Sequence, residues 1–165
     1  ILPRYQEAVA LRDLCAAHGA LFIVNDRVDL ALAVEADGVH LGQGDLPPAQ
    51  ARRLLGPDRL IGRSTHAPAQ LQQAMADGCD YAGVGPLQAT PTKPGREPVG
   101  LDYLRQAAQI ATIPHYAIGG VDVQLLPALL EAGGPHCRVA VVRAVMEAAD
   151  PAAAARQLLE LLADG

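Results

Sequence analysis

Tryptophan is absent, phenylalanine occurs once, and aromatic residues make up only 3% of the 165 residues. That palette argues against an aromatic-rich sandwich and for helices packed on parallel strands. Basic tracts are missing too, and the net charge is −5. Nucleic acid and anionic membrane surfaces are therefore excluded as partners. No apolar run approaches the length of a membrane span, and no charged-then-apolar signal segment opens the chain. Cysteine is scarce: Cys15, Cys79 and Cys137 are odd in number and far apart. They form neither a zinc spacing nor a disulfide framework, and read as small core residues of a reducing compartment. A soluble cytoplasmic protein is expected. No nucleophile stands at a telling distance from a base, and no linker is long or polar enough to divide the chain, so residues 1–165 read as a single domain.

What is abundant is Ala, Leu and Val, arranged as short apolar runs alternating with helical stretches. Helices are predicted at about 5–18, 28–35, 47–55, 68–77, 101–111, 123–132 and 151–162. The intervening strands are Leu21–Val24, expected to be buried on both faces, then Gly38–Leu41, Leu60–Gly62, Tyr81–Val84, His115–Ile118 and Val139–Val142. Gly19 is placed to stop the first helix. A weak repeat (Ala36-Asp37-Gly38, Ala76-Asp77-Gly78, Ala132-Gly133) closes a helix before a strand, as a left-handed helix stop would. Six strands, each followed by a helix, imply a parallel sheet with right-handed crossovers.

The stretch from Val84 to Gly95 leaves an apolar strand and becomes a loop carrying Thr90, Thr92 and Lys93 among three prolines. Proline fixes φ, so this loop is neither helix nor inner strand. Two hydroxyls and an ammonium held in fixed relation suit a phosphate, although a solvated surface loop reads equally well from this stretch alone. The rest of the chain shifts that balance. Asn25-Asp26, Gln43 with Asp45, Ser64-Thr65-His66, Thr90-Thr92-Lys93, Gly119-Gly120 and Val142-Arg143 all fall where strands end. In a barrel or a doubly wound sheet those ends form one rim, where the active site sits.

The clusters divide by chemistry. Asp26 and Asp45 offer two hard oxygen ligands suited to Mg²⁺ with water and phosphate. Each also reads as a helix cap, Asp45 ahead of Pro47. Gly119-Gly120 and the amides around Val142-Arg143 resemble a barrel phosphate site, or else a pair of tight turns. His66 on the rim and His40 within a strand read as hydrogen-bonding structural residues, as do His18, His115 and His136. Strand alternation turns Arg63 away from the side of Ser64, so Arg63 receives no catalytic role.

Six short pieces, in this order and spacing, make the chain resemble the thiamine phosphate synthase family. They are Val24-Asn25-Asp26-Arg27, His40-Leu41-Gly42-Gln43-Gly44-Asp45, Gly62-Arg63-Ser64-Thr65-His66, Gly83-Val84-Gly85-Pro86 with Thr90-Pro91-Thr92-Lys93, Ile118-Gly119-Gly120-Val121 and Val139-Ala140-Val141-Val142. The resemblance implies an α/β fold of the (βα)8 TIM-barrel type and a Mg²⁺-dependent transferase. That enzyme joins hydroxymethylpyrimidine pyrophosphate to thiazole phosphate, giving thiamine phosphate and pyrophosphate through a dissociative pyrimidine-cation step. Carried onto this sequence, Asp26 and Asp45 would hold Mg²⁺ and Asn25 would contact the pyrimidine substrate. Ser64 and Lys93 would act on the leaving pyrophosphate. Thr90, Thr92, Gly119, Gly120, Val142 and Arg143 would hold the thiazole phosphate.

Three departures from that family stand out. About six βα units are present, and the family's first two strands, with a Gln-x-Arg-x-Lys motif, are not found ahead of Ile1-Leu2-Pro3-Arg4. A longer natural chain, or another segment or copy that completes the sheet, is expected to cover the open edges. Arg143 stands where the family often has serine, and Arg63 beside Ser64 is the third oddity. The alternative readings are a thiazole tautomerase-like isomerase on the same fold and a non-catalytic thiazole-phosphate-binding fragment.

Overall fold

The computed structural model describes residues 2–89, 95, 97–134 and 137–163. The elements are α1 (Leu2–Ala17), β1 (Ile23–Asn25), α2 (Val28–Ala33), β2 (Gly38–Leu41), α3 (Pro48–Leu55), β3 (Leu60–Thr65), α4 (Pro68–Ala76), β4 (Tyr81–Val84), α5 (Gly100–Ile110), β5 (His115–Ile118), α6 (Leu126–Gly133), β6 (Arg138–Ala140), α7 (Arg143–Met146) and α8 (Pro151–Ala163). All strand pairs are parallel, and the sheet order is β1-β2-β3-β4-β5-β6. Strand order equal to chain order has no reversal point, which rules out a doubly wound sheet. Crossovers of one hand then keep the helices on one face, the winding of a (βα)8 barrel. The chain builds six βα units of that barrel as an open arc.

Register sorts the strand residues between the two faces, because parallel partners point to the same side. One row holds Val24, Val39, Ile61 and residues in step with them: Leu41, Thr65, Ala82, Val84 and Ala117. This row packs under the helices in two contiguous clusters, one around β1–β3 and one around β4 and β5, both touched by Ile113. Leu71, Leu104 and Leu129 join the second cluster from α4, α5 and α6 and are fully buried. Each such leucine contributes about 1.5–3 kcal/mol of transfer free energy. Proline opens α3 and α4, where its missing N–H and fixed φ cost nothing.

Several boundaries differ from the sequence expectation. β1 begins two residues later than the apolar run, Leu21 is 65% exposed, and only Val24 of the strand is buried. An apolar run does not reveal that its strand lies on the sheet edge. β6 stops at Ala140, leaving Val142 51% exposed ahead of the one-turn α7. α6 starts at Leu126 because the Asp122 carboxylate first accepts hydrogen bonds from the N–H groups of Gln124 and Leu125. Gly78 is left-handed, as the repeat requires. At 36–38, however, the left-handed residue is Glu35, and Gly38 lies inside β2. Cys79 is buried, which pushes its thiol up to about 11, whereas Cys15 and Cys137 are half-buried and all three are free. Among the described residues, no helix is long and apolar enough to cross a membrane.

Candidate active site

The face of the sheet away from the helices carries Asn25, His40, Ser64, Tyr81, Tyr116 and Arg138. Asn25, His40, Gly62 and Tyr81 form one row across β1–β4, and Ser64, Gly83, Tyr116 and Arg138 form the next across β3–β6. Gly62 lacks the side chain that would otherwise keep β2 and β4 apart on this face. A Cβ there would lie 2.1 Å from Tyr81 Cζ, so the tyrosine ring occupies that space and leans across β3. Its hydroxyl meets His40 Nδ1 at 3.1 Å, and His40 Nε2 meets Ser64 Oγ at 2.9 Å. The His40 ring lies beside Gly83, where a Cβ would stand 3.5 Å from Cε1, an ordinary contact. Tyr116, in the second row, stands edge-on to Tyr81 with ring centroids 5.6 Å apart. Burial, with Tyr116 and Asp80 nearby, pushes the Tyr81 phenol above its ordinary range.

Beyond these rows, at the carboxyl ends of β3–β6, opens a cavity of about 370 Å³. Ser64 and Gly83 line it from the sheet. Gly85, Pro86 and the Gly119-Gly120-Val121-Asp122 turn line one part, and residues 140–144 with Glu147 line another. The loop after β4 is tied to the end of β5 by the N–H groups of Leu87 and Gln88, which donate to the carbonyls of Ile118 and Gly119 at 2.9 and 3.1 Å. Arg143 Nε donates to Glu147 Oε2 at 2.8 Å, a pairing that raises the guanidinium and lowers the carboxyl.

The cavity brings together Ser64, Gly119, Gly120, Val142 and Arg143 of the expected site residues. Ser64 and Thr65 lie within β3 rather than after it. Thr90, Thr92 and Lys93 lie outside the described residues. Asn25 ends β1 beside a separate recess shared with Arg4, Arg27 and Leu30. Asp26 follows it in a left-handed conformation, φ 63°, with its N–H donating to the His40 carbonyl at 2.8 Å. An L-residue held there is strained and persists only where its surroundings require it.

Asp45 does not cap α3: the residue at that position is Pro47, and no side chain caps the helix. Instead its Oδ2 accepts the Gly42 N–H at 2.6 Å, closing the turn after β2. Gln43 in that turn donates to the Ser64 carbonyl at 2.7 Å. Among the described residues, no group of three or more His, Cys, Asp or Glu side chains is arranged to hold a metal ion. Asp26 and Asp45 are two carboxylates following neighbouring strands, not a preformed cage.

His66 is structural in part, as expected. Its Nδ1 meets the Gly85 carbonyl and its N–H donates to Gln70 Oε1 at 2.8 Å, but it also lines the cavity. Arg63 is in register with Leu41 and Ala82, on the helix side, as strand alternation requires. The sequence reading missed Tyr81 and the partnership of His40 with Ser64. The available signal was Gly62, which lies inside β3 and marks a close approach.

Three comparisons bear on this arrangement. The model of the Thiamine monophosphate synthase family matches residues 3–145. A thiamine-phosphate synthase of Gloeobacter violaceus is 60% identical over 158 residues, covering 96% of this chain and 46% of the relative. One of Prochlorococcus marinus (strain MIT 9313) is 57% identical over 161 residues, covering 98% of this chain and 45% of the relative. The chain thus spans about half the length of the curated relatives it matches. A solved thiamine phosphate pyrophosphorylase of Pyrococcus furiosus superposes with a TM-score of 0.87 at 36% identity, covering 97% of this chain and 76% of that one. With a family model spanning residues 3–145 and the same fold in a solved relative, this chain belongs to the thiamine monophosphate synthase family.

Proposed function

We propose that this chain forms the phosphate-handling face of a cytoplasmic thiamine-phosphate synthase, which joins hydroxymethylpyrimidine pyrophosphate to thiazole phosphate. The observation that carries the reading is the 370 Å³ cavity in which Ser64, the Gly119-Gly120 turn and Val142-Arg143 converge at the strand ends. Gly119 and Gly120 bring bare backbone to its wall, and Arg143 brings a cation, which together suit the phosphate of the thiazole substrate. Ser64, on the inner face of β3, is placed to donate to the leaving pyrophosphate, with Lys93 assigned the balancing charge. Asn25, at the end of β1, is assigned to the pyrimidine, and Thr90 and Thr92 to the thiazole phosphate.

The chemistry asks little of the protein beyond placement and charge. The bond from the pyrimidine methylene carbon to oxygen breaks, and pyrophosphate leaves with the electron pair. The cation left behind is stabilised by the pyrimidine ring. The neutral thiazole nitrogen then donates its lone pair to that carbon. Positioning of two bound substrates removes most of the entropic barrier to this second step. No enzyme nucleophile is required. The donor set of Asp26 and Asp45 fits Mg²⁺, which is usually held by one or two carboxylates together with water and substrate phosphate. When bound, the ion neutralises charge developing on the pyrophosphate. The edges of β1 and β6 are unpaired within the sheet, so further strands, from a longer chain or a second copy, would complete the barrel.

The test is pyrophosphate release by this chain with Mg²⁺ and both substrates, alongside titration of thiazole phosphate alone. Release that requires both substrates is the expected result. Proton exchange on the thiazole phosphate without pyrophosphate release would favour the isomerase reading, and saturable binding without turnover the binding-fragment reading. Absence of both release and binding overturns the assignment of the cavity.

A further inference from the structure

We propose that Tyr81 and His40 are positioning residues that hold the Ser64 hydroxyl as a hydrogen-bond donor toward an anion in the cavity. The proposal rests on the reading of Ser64 as a pyrophosphate-binding group. Three strands contribute to the chain of contacts: Tyr81 from β4, His40 from β2 and Ser64 from β3 between them. Neighbouring strands stand nearly 5 Å apart, so Tyr81 and His40 meet only by reaching across β3. Gly62 makes that reach possible, because any side chain there would occupy the place of the Tyr81 ring. At Gly83 a Cβ would stand 3.5 Å from His40 Cε1, an ordinary contact, so Gly62 is the glycine that the contacts demand. Glycine weakens a strand interior, and at Gly62 the chain of contacts explains that cost.

In the arrangement proposed, the Tyr81 phenol donates to His40 Nδ1 across 3.1 Å. An imidazole that accepts at Nδ1 carries its proton on Nε2 and donates to Ser64 Oγ across 2.9 Å. With an oxygen lone pair so occupied, the Ser64 hydroxyl proton turns to the cavity that Ser64 lines. An anion there meets a donor whose orientation is set before it arrives. If His40 were merely satisfied by its neighbours, losing the Tyr81 hydroxyl would have no effect that passes through Ser64.

Magnesium pyrophosphate is titrated calorimetrically into the wild-type chain, Tyr81→Phe, Ser64→Ala and the double variant. Long-range ¹H–¹⁵N spectra, recorded above the histidine titration range, report the His40 tautomer. The expected spectrum shows His40 protonated on Nε2 in the wild type and a mixture of tautomers in Tyr81→Phe. Tyr81→Phe should weaken pyrophosphate about three- to tenfold, the effect of one neutral hydrogen bond. Ser64→Ala should weaken it at least as much, and the double variant no further. A second pair guards against misfolding of Tyr81→Phe: His40→Ala should lose affinity, and His40→Gln, which keeps a donor toward Ser64, should recover most of it. If Ser64→Ala weakens binding but Tyr81→Phe does not, or weakens it equally with and without Ser64, the proposal falls while the Ser64 reading stands. A His40 protonated on Nδ1 also overturns it. If the wild type shows no saturable binding, or Ser64→Ala binds like the wild type, the Ser64 reading itself fails and the proposal with it.

Discussion

Alanine at Gly62 should destabilise the protein, and alanine at Gly83, in the next row of the same sheet face, should not. At Gly62 the new methyl carbon would lie 2.1 Å from Tyr81 Cζ, 2.4 Å from its hydroxyl oxygen and 2.5 Å from Cε1. The ring has little room to retreat. His40 stacks on one part of it at 5.5 Å between centroids, and Tyr116 meets it edge-on at 5.6 Å. Overpacking of this kind costs about 1–3 kcal/mol. Displacing the ring also breaks the Tyr81–His40 hydrogen bond, worth about 0.5–1.5 kcal/mol. Against this, alanine reduces the entropy of the unfolded chain and returns about 0.4–1 kcal/mol. The net loss is about 0.5–4 kcal/mol. At Gly83 the nearest atom to the new methyl is His40 Cε1 at 3.5 Å, an ordinary contact, so only the entropic gain remains. Urea denaturation followed by far-ultraviolet circular dichroism measures both variants. A gap of about 2 kcal/mol corresponds to a melting-point difference of roughly 4–8 °C in a chain of this size. Equal stability of the two variants refutes the reasoning, since it would mean that Tyr81 does not fill the space above Gly62.

Asp26 separates a backbone cost from a functional one. Asp26→Ala should lose about 1 kcal/mol in a thermal melt, because alanine tolerates the left-handed backbone poorly, while Asp26→Asn should hold stability. Both should lose Mg²⁺-dependent pyrophosphate release, and retained release in either removes Asp26 from the metal site. The buried relay on the helix side, where Tyr103 donates to Thr65 Oγ1 at 2.7 Å and Thr65 donates to the Gly83 carbonyl at 2.8 Å, predicts an asymmetry. Thr65→Val strands two polar groups and should cost about 1–3 kcal/mol, Tyr103→Phe less, and the double variant less than the sum in denaturant titrations. Asp29 is held at about 2 by the Arg27 guanidinium, below its ordinary 3.8. Its folded value is depressed, so whatever this exposed pair contributes is present above 3.8 and lost as pH falls through about 2. Arg27→Gln should return the Asp29 midpoint, followed by NMR, toward 3.8, and an unmoved midpoint would contradict the pairing.

Much of the barrel was legible as alternating apolar runs. β2, β4 and β5, inner strands paired on both edges, occupy the expected residues, whereas β3 runs on to Thr65, past the expected end at Gly62. β1 and β6 were overread, at Leu21 and Val142, because hydrophobicity along a run says nothing of whether a neighbour exists to bury its end. The rim was legible in outline. Ser64, Gly119, Gly120, Val142 and Arg143 meet in one cavity, whereas Asn25 lies at a separate recess. Of the two readings of Asp45, metal ligand and helix cap, the cap fails, because its carboxylate closes a turn onto Gly42 instead.

The amino-acid sequence by itself determined the βα alternation, the parallel sheet and the family, because each rests on local periodicity or on residues close in the chain. Tertiary structure alone decided that Tyr81, His40 and Ser64 form one hydrogen-bonded chain. Tyr81 lies 41 residues from His40, and His40 lies 24 from Ser64. They meet because register sets His40, Gly62 and Tyr81 in one row, and because the middle member of that row has no side chain. Sequence spacing records neither register nor the empty space above a glycine, and here both were needed to bring the three side chains together.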